Sequence, residues 1–267
     1  MRKAIALFIA VLLLPQAGFC WGKIGHQTVA EIAERNLTAQ AKANIERYTG
    51  GTPLWQLSLW MDEVRSQNIK PYNTVTAGWH ASIADSNMTS PKIVRERYRE
   101  SNDGVTAIEN FTEQLKNYQQ LPDSAVLVAI KCMIHTIADF HCPSHLRYVD
   151  CENKGGFAVK FYGKQTIMHK VWDTSVVSHY HKGWKHTEYA DYLSTLSESE
   201  AEKVTEGWAQ QWFEQSAVEC RPVIYWVDDL TIESLGDKFM EKAGPLAEQQ
   251  MQRAGYRLAK ALNTIFK

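Results

Sequence analysis

The chain has no surplus of charge of either sign. Its 29 lysine and arginine residues face 30 aspartate and glutamate residues, a net charge of −1 over 267 residues. This excludes a protein that holds nucleic acid through a broad basic surface, because that mode depends on releasing many phosphate counterions. Any affinity for phosphate must come from a local site. Long apolar runs are also scarce. Only residues 4–14 form one, and it is too short for an ordinary transmembrane helix. Internal repeats and dividing linkers are absent. With 45% hydrophobic and 22% charged residues, disordered, collagen-like and coiled-coil chains are excluded and a sizeable core is possible. What is abundant is tryptophan, tyrosine and histidine, at nine, eleven and nine residues.

Residues 1–20 have the marks of a secretory signal peptide. Arg2 and Lys3 precede the apolar run, Pro15 ends it, and Gly18 and Cys20 supply small residues at the −3 and −1 positions of a cleavage site. A lipoprotein leader acylated at Cys20 is the competing reading, weakened by the bulk of Phe19. Cleavage after Cys20 would leave residues 21–267 as one domain beginning at Trp21, secreted or periplasmic. Taking Arg2 and Lys3 from the 29 basic residues leaves 27 against 30 acidic, a net charge of about −3. Four cysteines remain, Cys132, Cys142, Cys151 and Cys220. An even number in an exported chain suggests disulfides. Cys142–Cys151 and Cys132–Cys220 are the favoured pairs, with four buried thiols as the alternative.

The mature chain reads as all-α, a single mainly helical domain with a small β-hairpin. Apolar spacing predicts helices over 28–36, 54–65, 165–179, 189–196, 199–227 and 232–266. Thr38 is placed to cap a helix reaching Tyr48, ended by Gly50-Gly51-Thr52-Pro53. Asn102 or Asp103 starts another, through about Tyr118. Residues 66–92 read mostly as loop. The segment from Ser124 to about His141 is apolar on nearly all sides, as expected of a buried central helix. Residues 142–163 are irregular, with a hairpin expected over 157–162.

The central helix carries two hydrophilic residues, His135 and Asp139, whose i, i+4 spacing puts them on one face. Burying both is costly without partners. A hydrogen-bonded pair is one solution and a metal ion is another. The spacing recurs at His169 and Asp173, again among apolar residues. His145 follows Asp139 past a helix end at Pro143. Upstream stand Asp62 beside Trp60, His80 beside Trp79, and His26 just after the expected new amino terminus. Five histidines and three aspartates, without thiolate, suit zinc best among divalent ions. Eight side chains exceed what one ion takes and match a cluster with open positions. His141 lies off the ligand face and is expected to face solvent or support the ligands. His179, His181 and His186 are expected at the surface or in loops. Most tryptophans are expected to pack in the core or around the site, and a minority to stack on a base.

The motifs Trp21-Gly22-x-x-Gly25-His26, Trp60-x-Asp62-x-x-Arg65, Trp79-His80, His135-Thr-Ile-Ala-Asp139-x5-His145 and His169-x-x-Trp172-Asp173-Thr174 occur in this order. Together they resemble the signatures of the trinuclear-zinc single-strand nucleases, the S1/P1 nuclease type. That type shares a helical superfamily with zinc phospholipase C. The resemblance implies that Asp62, His80, His135 and Asp139 hold one zinc. The amine and carbonyl of Trp21, with His26 and Asp139, would hold a second. His145, His169 and Asp173 would hold a third, and Arg65 would contact phosphate. It also implies an endonuclease and 3′-nucleotidase with catalytic roles for Arg65, Asp62 and Asp139. The substrates would be single-stranded DNA or RNA and 3′-nucleotides, with no stable nucleic-acid complex, no membrane association and a monomeric state. Ala81, Ala138, Gly155-Gly156-Phe157 and Ile167 depart from the family pattern. None is an expected ligand, so they bear on base preference and substrate range. The alternatives are a phospholipase C-like lipid hydrolase, which would carry Glu where Asp173 stands, and a non-catalytic zinc-binding exported protein.

Overall fold

The computed structural model describes residues 21–100, 102–151, 158–223, 226 and 235–267. The expected leader, residues 1–20, and Gly155, Gly156 and Phe157 lie outside the described residues. A central helix, Asp123–Asp139, forms the axis of the fold, and every residue from Cys132 to Asp139 is buried. An apolar sequence with no polar face needs neighbours all round. They are the amino-terminal helix Lys23–Arg35, the helices Ala39–Thr49, Trp60–Ser66 and Gly104–Gln114, and the 29-residue carboxy-terminal helix Asp237–Ile265.

Local chemistry sets several helix ends. The Thr38 side chain accepts from Ala41 N–H, and Gly50 closes the same helix with φ +61°, a left-handed conformation that glycine adopts without a Cβ clash. Asp103, fully buried, caps the helix Gly104–Gln114 by accepting from the Val105 and Thr106 N–H groups, and it also accepts from the Ser82 hydroxyl at 2.6 Å.

Strands are short. Within the expected loop 66–92, β1 (Ser82–Ala84) pairs in parallel with β2 (Leu146–Tyr148), Ser82 opposite Leu146. This pairing has no local sequence signal, because its partners stand some sixty residues apart. A hairpin forms where one was expected but further along. Here β3 (Ala158–Phe161) pairs antiparallel with β4 (Lys164–Ile167). Residues 164–167 therefore belong to a strand, and the helix expected from Gln165 begins at Met168. It continues as a π-helical turn, Val171–Ser175, and then Val176–Tyr180. The long helix expected over 199–227 is divided into Glu198–Val204 and Ala209–Cys220, with Gly207 at φ +83° in the break. The helix expected over 54–65 is likewise two, Leu54–Leu57 and Trp60–Ser66.

Among the described residues, neither expected pair, Cys142–Cys151 or Cys132–Cys220, is joined by a disulfide. Cys132, Cys142 and Cys220 are fully or almost fully buried. Burial pushes the Cys132 thiol up to about 12, which makes it unreactive near neutrality.

The amino- and carboxy-terminal helices pack closely at Gly255. A Cβ there would stand 2.5 Å from Ile32 Cγ2 and 2.6 Å from Ile32 Cβ. The β-branched Ile32 has little rotamer freedom to withdraw. Gly255→Val is therefore expected to destabilise the fold by about 1–3 kcal/mol. A urea midpoint equal to that of the unsubstituted protein would show that the two helices can spread.

Candidate metal and active site

Asp139 ends the central helix, one turn after His135, and is fully buried. Three imidazoles from three different elements surround its carboxylate. His80 Nδ1 lies 2.9 Å from Oδ2, His135 Nε2 lies 3.4 Å from the same oxygen, and His26 Nε2 lies 3.4 Å from Oδ1. The His26 and His135 rings stack with centroids 4.0 Å apart. Asp62, in the helix Trp60–Ser66, places Oδ1 3.8 Å from His135 Nε2.

Backbone carbonyls set the ring orientations. His135 Nδ1 donates to the Ser58 carbonyl at 2.7 Å, which turns Nε2 and its lone pair towards the carboxylates. His145 Nδ1 donates to the carbonyl of His80. The parallel β1–β2 pair follows directly in the chain, so the same sheet register that joins residues 82–84 to 146–148 brings His80 and His145 together.

A second group lies beside the first. Asp173, in the π-helical turn, has Oδ2 3.0 Å from His169 Nε2 and Oδ1 3.6 Å from His145 Nε2. Ser144 donates to Oδ1 at 2.5 Å. Trp21, fully buried, starts the described chain against this turn, with Gly22 N–H donating to the Asp173 carbonyl. A Cβ at Gly22 would meet Thr174 Oγ1 at 2.6 Å and the Asp173 carbonyl oxygen at 2.8 Å, so only glycine allows this approach.

The electrostatics favour neutral imidazoles and ionised carboxylate. Burial, with repulsion from the other histidines, holds His26 and His80 well below the usual histidine value. Burial brings His135 down to about 3, against the hydrogen bond to Ser58. Burial raises Asp173, but the imidazoles of His145 and His169 beside it more than offset this and hold it below the usual carboxylate value. Neutral imidazole and carboxylate are the forms that bind metal.

These residues fit a divalent ion. Both ring nitrogens of His26 are buried without a hydrogen-bond partner, a state that costs about 1–3 kcal/mol per group unless something else satisfies them. The donor atoms of His26, Asp62 and His135 lie within 4.8 Å of one another, as do those of His80, His135 and Asp139 and those of Cys142, His145 and Asp173. The expected ligands are thus brought together, His169 at the rim with a side chain 20% exposed. Arg65 is exposed one turn after Asp62, and its charge reaches His80 and His135.

Comparison with known proteins gives the same family as the motifs. The model of the S1/P1 nuclease family matches residues 21–267. The chain belongs to the S1/P1 nuclease family. It is 25% identical to Endonuclease 4 of Arabidopsis thaliana over 291 residues, covering 100% of this chain and 96% of that protein. It is 25% identical to Nuclease S1 of Aspergillus oryzae, covering 99% and 98%, and 25% identical to Nuclease P1 of Penicillium citrinum, covering 92% and 97%. Membership makes the chain a hydrolase acting on the ester bonds of nucleic acids.

Other polar residues of this S1/P1 nuclease-family chain have partners that no local pattern announces. His141 does not face solvent. It is fully buried, donating from Nδ1 to the Ile137 carbonyl and accepting at Nε2 from the buried Arg257 at 2.7 Å. Its partner lies 116 residues away, so no local pattern announces it. His181 stacks on Trp184 at 3.8 Å and bonds Glu248 at 2.7 Å, and is half-buried. Ser58 and Ser144 were not anticipated, because carbonyl and hydroxyl partners carry no distinguishing spacing.

An ion that binds only the folded chain must stabilise it. Zinc at about a hundred times its dissociation constant is expected to add about 2.7 kcal/mol per independent site. Asp139→Asn should lose most of that gain while keeping its helix. Calorimetric melting with zinc and with chelator measures both, and identical melting in the two solutions would contradict a metal site.

Proposed function

We propose that the chain is an exported, zinc-dependent phosphodiesterase that cuts single-stranded DNA or RNA to 5′-phosphates and removes phosphate from 3′-nucleotides. The observation that carries this reading is Asp139, a fully buried carboxylate within 3.4 Å of nitrogens from His26, His80 and His135. A carboxylate so surrounded is suited to serve two ions. The holders would be Asp62, His80, His135 and Asp139 for one ion, Trp21, His26 and Asp139 for a second, and His145, His169 and Asp173 for a third. Bound zinc would supply Lewis acidity and an acidified water for attack on phosphorus.

The chain's own groups do the remaining work. The Ser58 and His80 carbonyls hold His135 and His145 in the tautomers that turn Nε2 inward. Arg65, exposed and one turn from Asp62, is suited to hold a phosphate oxygen and to offset charge that builds during attack. The proposed ligands are recessed, and among their side chains only His169 reaches appreciable exposure. A flexible single strand can lower its backbone into such a site, and a stiff duplex cannot. No described helix is long and apolar enough to cross a membrane, and we read the protein as a secreted or periplasmic monomer.

Removal of residues 1–20 would mature the site as well as release the protein. The family match beginning at residue 21 and the burial of Trp21 against the Asp173 turn support this. An α-amine can bind metal only once its peptide bond is cut.

Zinc-loaded mature protein is expected to degrade single-stranded DNA and to release phosphate from 3′-AMP, while leaving phosphatidylcholine micelles intact. Diglyceride release would transfer the reading to a lipid hydrolase, and no turnover of any substrate with zinc bound would leave a storage protein. Arg65→Ala should lower kcat/KM about a hundredfold with zinc content unchanged. One residue added before Trp21 should reduce zinc content and activity together, and an extended chain with full zinc content and activity would refute the role of the terminal amine.

A further inference from the structure

The sequence pattern points to nitrogen and oxygen donors alone, and the cysteines read as disulfide partners. The structure puts Cys142 elsewhere. It stands directly after the ligand-bearing end of the central helix, in the turn between Asp139 and His145, fully buried. Its Sγ lies 3.7 Å from Asp173 Oδ1 and 3.0 Å from Ser144 Oγ. Sγ, a nitrogen of His145 and an oxygen of Asp173 all lie within 4.8 Å of one another, and all three residues are buried.

The spacing is that of donors sharing one ion. Tetrahedral zinc with Zn–S of about 2.3 Å and Zn–O of about 2.0 Å holds sulfur and oxygen about 3.5 Å apart. The Cys142–Asp173 separation is close to that, and the 3.6 Å between His145 Nε2 and Asp173 Oδ1 is within a few tenths of an ångström of the ~3.3 Å expected for nitrogen and oxygen on one zinc. A cysteine packed as a small apolar side chain would be surrounded by carbon. This one faces a hydroxyl and a carboxylate.

We propose that Cys142 is a ligand of the metal held by His145 and Asp173, making this site a mixed sulfur, nitrogen and oxygen site. The inference rests on the metal-dependent reading above. As the metal–sulfur bond forms, the thiol proton passes to solvent. Ser144, within reach of both Sγ and Asp173, holds the carboxylate in place. Thiolate is a soft donor, so the site should favour thiophilic ions more than an all-nitrogen and oxygen site would.

The mature chain loaded with cobalt(II) in place of zinc tests this without any assay of activity. Bound cobalt is counted by elemental analysis, and the near-ultraviolet spectrum is recorded for thiolate-to-cobalt charge transfer. The expected result is a charge-transfer band in the unsubstituted protein that is lost in Cys142→Ala and kept in Cys132→Ala. Cadmium affinity of that site should fall at least tenfold in Cys142→Ala. Cobalt bound without the band, or a band that survives Cys142→Ala, overturns the proposal and leaves the wider metal reading standing. No cobalt bound at all defeats both. Should Cys142→Ala fail to fold, the cadmium-113 resonance of the unsubstituted protein decides. A shift in the range of sulfur ligation supports the proposal and one in the nitrogen–oxygen range refutes it.

Discussion

The structure depends on placing ionisable groups where water cannot reach them. His26, His80, His135, Asp139, His145 and Asp173 are all at most a few per cent exposed. Such groups in an apolar interior are unfavourable unless their charges and lone pairs meet partners. Here the partners are mainly each other, with Ser58, Ser144 and the His80 carbonyl. Burial makes the imidazoles poor bases and leaves their lone pairs available, and Asp139 concentrates negative charge at one point. A divalent metal ion is a chemical complement of that arrangement.

The surrounding fold holds this cluster from several directions. The central helix contributes His135 and Asp139 and is enclosed by helices from both ends of the chain. The β1–β2 pair ties the His80 segment to the His145 segment. The contact between Gly22 and the Asp173 carbonyl ties the start of the described chain to the second ligand-bearing turn. Arg257, buried in the carboxy-terminal helix, secures His141 two residues beyond Asp139. The last third of the chain has none of the expected ligands, yet it buttresses the segment that carries them.

This organisation also explains how a chain of near-zero net charge can belong to a nuclease family. On the proposed metal-dependent reading, bound ions would concentrate positive charge at a recessed site, and phosphate recognition need not be spread over a basic surface.

Much of the helical fold was legible in the residues. Thr38, Gly50 and Asp103 mark helix ends through backbone chemistry that acts within three or four residues, and the buried central helix declares itself by having no polar face. The paired i, i+4 histidines and aspartates are visible for the same reason, since one helical turn fixes their neighbourhood. The sequence alone could not determine how those pairs meet, because the β1–β2 pairing, the Gly22–Asp173 contact and the Arg257–His141 bond join residues far apart in the chain. Nor could it determine the surroundings of Cys142. Spacing suggested a disulfide, and packing set the thiol against a carboxylate. Local interactions choose the elements, but distances between elements are settled by the packing of the whole, and it is those distances that turn separate ligands into a site.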